Sequence, residues 1–170
     1  MPDTQPIQKM FARHGLRCTR QRVAIYEALY AARNHPTADE LFRVVTDRMR
    51  GISLATVYNT LEAFSQAGIV QKLPGAGVNG SARFDANPDN HVHLCCHKSG
   101  TVADLPEDVG RRLLERIPPE ALEELRELYG FQTHQIQIEL AGEFADPDTA
   151  RDMQNAATRR IAERVQGEGI

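Results

Sequence analysis

The chain has 170 residues, with 20 Lys+Arg against 23 Asp+Glu, 41% hydrophobic residues and no Trp. Such a length and composition suit one ordinary domain or two small ones and exclude a fibrous or disordered chain. A formal charge of −3 and a pI near 6.1 argue, taken as averages, against nucleic-acid binding. The opening stretch MPDTQPIQKMFARHG has no apolar run followed by a small-residue cleavage site, and no run of roughly eighteen apolar residues occurs, so neither export nor membrane spanning is expected. Three cysteines, two of them adjacent at Cys95 and Cys96, do not make a disulfide framework, and a reducing cytoplasm is the expected compartment.

The charge is unevenly placed. Residues 1–73 carry ten basic side chains against six acidic, a net of +4, and the rest carry ten against seventeen, a net of −7. Halves of opposite sign suggest different partners, although +4 also suits an ordinary solvated surface.

In chain order, Thr19 caps a predicted amphipathic helix over 19–32, with Ile25, Ala28, Leu29 and Ala32 at helical spacing. Thr37-Ala38-Asp39-Glu40 is a capping box opening a second helix, with Leu41, Val44 and Val45 on one face and Gly51 as the break. Ser53 caps a third helix whose buried stripe is expected to be Leu54, Val57, Tyr58 and Leu61, stopped at Gly68. The short turn Arg50-Gly51-Ile52 gives these two helices helix-turn-helix spacing. Two strands, 69–73 and 81–85, flank the glycine-rich loop 74–80, and three helices followed by a hairpin is winged-helix order. Thr56, Asn59, Thr60 and Ala63 lie opposite the stripe; in a major groove Asn pairs with adenine and a Thr methyl meets thymine. The candidate DNA contacts are Arg20, Arg22, Ser53, Thr56, Tyr58, Asn59 and Thr60, the competing explanation being a solvated helix face.

The second half opens after Asp85 with a predicted hairpin over 91–104, turning at Lys98-Ser99-Gly100. Residues two apart share a strand face, so His91 and His93 point the same way, and Asp104 on the returning strand reaches them. Imidazole plus carboxylate suits Fe(II), Mn(II) or Zn(II). Cys96 is expected in the core, and Cys95, on the His face by parity, is left open. A helix after Pro118-Pro119 ends at Gly130, a strand carries Ile136, Ile138 and Leu140, and a last helix starts at Asp146-Pro147 with Met153, Ala157 and Ile161 on one stripe. Apolar stripes and an exposed strand in so short a unit suggest a dimer, with core packing as the alternative.

The segments LRCTRQRVAIYEAL, HPTADELF, SLATVYNTLEAFSQAGIV, RFDANPDNHVHLCCHKSG and VADLP, in this order, resemble the ferric uptake regulator family of metal-dependent bacterial repressors. The resemblance implies an α+β chain: an N-terminal winged-helix DNA-binding domain over 1–86 and a C-terminal α/β dimerisation and metal-sensing domain over 87–170. It implies that His35, Asp85, His91, His93 and Asp104 hold the regulatory metal. Asp at the last position is similar to the peroxide-responsive branch, where bound Fe(II) reacts with hydrogen peroxide and a ligand His is oxidised; His35 and His91 are then the oxidation-sensitive candidates. The family's two CxxC pairs are absent, since Ser99 stands where the partner of Cys96 would be and no cysteine follows Cys96, so no four-cysteine structural zinc is expected.

The reading is therefore a cytoplasmic, homodimeric repressor rather than an enzyme. It binds an AT-rich inverted repeat in double-stranded DNA and uses Fe(II) or Mn(II), with Zn(II) as a further option. Iron, manganese, zinc or haem sensing is the alternative within the family. Outside it stands a non-haem iron enzyme, whose facial triad two His and a carboxylate resemble.

Overall fold

The computed structural model describes residues 5–32, 34–75, 80–87, 91–134, 136–146, 148–149 and 152. It divides into two units, Met1–Pro88 and Asp89–Ile170. Helices and small sheets make the chain α+β, and no described helix is long and apolar enough to cross a membrane.

In the first unit, α1 (Gln5–Arg13), α2 (Arg20–Ala32), α3 (Ala38–Arg48) and α4 (Leu54–Gln66) precede the antiparallel pair β1 (Gln71–Leu73) and β2 (Arg83–Asp85). Helix α1 was not foreseen, because only Ile7, Met10 and Phe11 mark its apolar side. It contributes Phe11, fully buried, whose ring stacks on Phe64 at 5.3 Å and meets Tyr26 edge-on at 5.8 Å. Aromatic pairs of this kind add about 0.5–1.5 kcal/mol beyond the area they bury.

The start signals of α3 and α4 act as their sequences require. Thr37 accepts from the Glu40 N–H while Glu40 Oε2 accepts from the Thr37 N–H at 2.8 Å, a complete capping box. Ser53 Oγ accepts from the Thr56 N–H at 3.1 Å, and Gly51 takes the left-handed turn between the helices at φ 85°.

Two face assignments are corrected. The core stripe of α4 is Val57, Thr60, Leu61 and Phe64, so Thr60 is buried at 7% exposure and Tyr58 is exposed at 44%. At 100° per residue, Val57, Leu61 and Phe64 set a stripe that lies nearer to Thr60 than to Tyr58. On α3, Ala38, Leu41 and Val45 are buried but Val44 is exposed.

In the second unit, β3 (Val92–Cys96) lies between β4 (Val102–Asp104), antiparallel, and β5 (Ile138–Gly142), parallel. Between them in sequence come α5 (Glu107–Leu114), also unforeseen, and α6 (Pro119–Tyr129), which starts on a proline and stops at left-handed Gly130 with φ 63°. No residue of α6 is buried, and Leu125, Leu128, Tyr129, Phe131 and Leu140 are exposed apolar side chains. The final helix expected from Asp146 lies almost wholly outside the described residues, as do residues 76–79 of the glycine loop.

Candidate metal centre

The first unit presents an imidazole and a carboxylate from different elements. His35 lies just before the α3 cap and Asp85 ends β2, and both are buried, with His35 Nε2 3.9 Å from Asp85 Oδ1. β2 is fixed on both sides: β1 pairs with one edge, while on the other the Phe84 N–H donates to Pro36 O at 3.1 Å and Thr37 bridges to Arg83. That pairing brings His35, fifty residues away in sequence, to Asp85. His35 is also the one non-glycine residue among the described ones with a positive φ, 48°. Such a conformation costs of order 1 kcal/mol and marks a place where the surroundings dictate the backbone.

The second unit presents two imidazoles and a carboxylate. His93 is registered directly opposite Asp104, and one oxygen, Asp104 Oδ1, lies 3.2 Å from His91 Nε2 and 3.7 Å from His93 Nε2. The His91 and His93 rings are 4.3 Å apart. His93 lies on β3 and His91 just before its first residue, so the alternation of extended backbone brings both toward the carboxylate of Asp104, which faces His93 across the strand pair. His35, Asp85 and His93 are buried and His91 is half-buried. Neutral imidazole nitrogens and carboxylate oxygens at low exposure fit a borderline divalent cation; they do not fit a soft ion that requires thiolate.

Other sequence candidates fall elsewhere. His97 and His134 are exposed. Cys95 and Cys96 are both buried and Cys18 is exposed, and none of the three forms a disulfide. The Cys96 thiol is lowered from 9.0 to about 7, first by the Ser99 side-chain hydrogen bond and then by backbone bonds from Phe144, Ser99 and Lys98, against burial.

On the helix-turn-helix, Asn59 and Tyr58 are exposed, while Ser53 Oγ and Thr56 Oγ1 bond each other at 2.8 Å. Thr60 is not offered to solvent. Arg20 is exposed, and Arg22 donates to Arg17 O at 2.9 Å. Tyr58 Oη donates to Asp39 Oδ2 at 2.9 Å, which raises the phenol above its ordinary 10.0. Sequence patterning carries no sign of this Asp39 bond, nor of the bond from Arg83 to the His35 carbonyl, although period-two alternation does put Arg83 and Asp85 on one face of β2.

The model of the ferric uptake regulator family matches residues 13–141. The chain belongs to that family. It is 42% identical over 90 residues to a peroxide-responsive repressor, PerR, of Staphylococcus epidermidis, a stretch covering 53% of this chain and 59% of that relative. The match thus spans less than two thirds of the relative's length. Among solved structures, the Pseudomonas aeruginosa ferric uptake regulator with manganese is 26% identical, with a TM-score of 0.64 over 82% of this chain and 98% of that one. The Vibrio cholerae ferric uptake regulator, whose structure describes a rearrangement of its DNA-binding domains, is 28% identical, with a TM-score of 0.58 over 81% and 99%.

Proposed function

We propose that this family member is a metal-dependent, DNA-binding transcriptional repressor that works as a cytoplasmic homodimer and is released by hydrogen peroxide. The observation that carries the reading is the pair of donor groups: His91 and His93 converging on Asp104 Oδ1, and buried His35 held in a left-handed conformation near buried Asp85.

One divalent cation, Fe(II) or Mn(II) with Zn(II) also accommodated, takes His35 and Asp85 from the first unit and His91, His93 and Asp104 from the second. Because the donors belong to two units, occupancy favours one relation between them over others, and in a dimer that relation sets the spacing of the two α4 helices. An AT-rich inverted repeat is then bound through Arg20, Arg22, Ser53, Thr56, Tyr58 and Asn59, with Thr60 supporting α4 from within. The domain boundary near residues 86–88 leaves the wing with the DNA-binding part. The exposed apolar side chains of α6 and β5 support a second copy as partner.

Fe(II) held by these side chains would activate hydrogen peroxide toward a ligand ring: the imidazole of His35 or His91 would lose two electrons, one peroxide oxygen would replace hydrogen on a ring carbon, and the other would leave as water. An oxidised ring is a poorer donor, so the ion leaves and DNA affinity falls. Asp104 at the last ligand position and the likeness to peroxide-responsive relatives support this input over the iron, manganese, zinc or haem inputs. Five protein donors also leave too few open positions for a non-haem iron oxygenase, which favours a regulator over an enzyme.

The test is to load the protein with Fe(II), add dilute peroxide and map the products by mass spectrometry. One added oxygen on His35 or His91 is the expected product. Oxidation confined to Cys95 or Cys96 would mean thiol sensing instead.

A further inference from the structure

We propose that Arg83 is a positioning residue for the metal ligand His35, an inference that rests on His35 being a ligand as argued above. A non-glycine residue with φ 48° relaxes toward the right-handed or extended region unless the peptide groups on either side are fixed. Arg83 fixes one of them. Its Nη1 donates to the His35 carbonyl oxygen at 2.9 Å, and the same nitrogen lies 3.3 Å from Glu40 Oε2. Glu40 Oε2 in turn accepts from the Thr37 N–H at 2.8 Å, as part of the α3 capping box. One guanidinium therefore ties the carbonyl of His35 to the first turn of α3.

Rotation of that carbonyl swings the Cα–Cβ direction at His35 and carries the imidazole away from Asp85. The guanidinium cannot be a ligand itself, because it has no lone pair to give and stays protonated. Near a cation it is unfavourable unless its charge is offset, and Glu40 at 3.3 Å offsets it. The Arg83 side chain is only 17% exposed, so water competes little for the bond to His35. Since Arg83 and Asp85 are two residues apart on β2, one short strand supplies both a carboxylate donor and the clamp for the neighbouring imidazole donor.

Groups that orient a ligand typically change metal affinity roughly ten- to a hundredfold when removed. Arg83→Met is expected to weaken Mn(II) binding, read from the free-ion EPR signal, about tenfold or more. It should also lower the visible absorption of the Co(II)-loaded protein, while circular dichroism and metal-free melting stay those of wild type. Arg83→Lys, which keeps a cationic donor, should recover most of the affinity. Arg83→Gln, whose amide is too short to reach both acceptors, serves with the same expectation as Arg83→Met if that variant does not fold. Wild-type Mn(II) affinity in the Met or Gln variant, or no recovery with Lys, would overturn the assignment. His91→Ala is the control for the site itself: if it also binds Mn(II) normally, the site is wrong, whereas loss there beside normal binding in Arg83→Met refutes only the positioning role.

Discussion

His35 shows how a single residue joins several levels of the structure. Its backbone is left-handed, its carbonyl is bound by Arg83, and its ring is buried 3.9 Å from Asp85. None of this is visible in HPTA as a string; spacing alone does not single out His35, because its partner lies on a strand fifty residues later. The HxH pair is legible because strand alternation is local and Asp104 follows within one hairpin. Asn59, proposed above as a base contact, is a second such residue. It is exposed on α4, beside Tyr58, whose hydroxyl is bonded to Asp39, and Thr56, whose hydroxyl is bonded to Ser53. Asn59→Ala is expected to cost about 1–3 kcal/mol in binding the specific operator and little on unrelated DNA, as measured by fluorescence anisotropy. Cys96 is a third. With its thiol lowered from 9.0 to about 7, the thiolate's contribution to stability is complete above about pH 9 and lost as pH falls through about 7. Ser99→Ala should move the ultraviolet thiolate titration of Cys96 upward; an unchanged titration would deny the Ser99 hydroxyl its part.

At the scale of elements, caps and glycines were the most readable signals. The Thr37–Glu40 box, the Ser53 cap and the Gly130 stop all stand where the sequence placed them. These signals act within a few residues and owe nothing to tertiary context. Helix α1 went unread because a polar nine-residue segment is stabilised by packing of Phe11 into the core rather than by its own pattern. The exchange of Tyr58 and Thr60 has the same cause: apolarity suggests burial for Tyr58, but the helical phase set by Val57, Leu61 and Phe64 buries Thr60, and the bond to Asp39 gives the Tyr58 hydroxyl a place at the surface. Gly130 offers a clean test of the α6 stop. A Cβ there would meet nothing within 4 Å, so Gly130→Ala should cost only the left-handed penalty, about 1 kcal/mol, seen as a modestly lower melting temperature. A loss several times larger would point to packing that the stop does not explain.

For the whole molecule, the charge split first seen in the sequence falls on two distinct units: basic residues divide almost evenly between them, and the acidic ones concentrate in the second, which leaves the unit with the helix-turn-helix net positive. The second unit exposes Leu128 at 65% and Tyr129 at 76%, with Phe131 and Leu140 also open. Apolar surface of this kind is expected to be covered by a second copy. Leu128→Asp should therefore give a monomer in sedimentation velocity and weaken operator binding; a dimer of wild-type stability would place the interface elsewhere. The proposed repressor then requires both the dimer and the ion. The most direct test is operator binding of the wild-type protein and of His91→Ala in a band-shift assay with AT-rich inverted repeats, with Mn(II) and with chelator. Wild type should bind at least tenfold more tightly with Mn(II), a difference of about 1.4 kcal/mol, and folded His91→Ala should show no such gain. Equal binding by wild type with and without the metal would contradict metal-dependent repression.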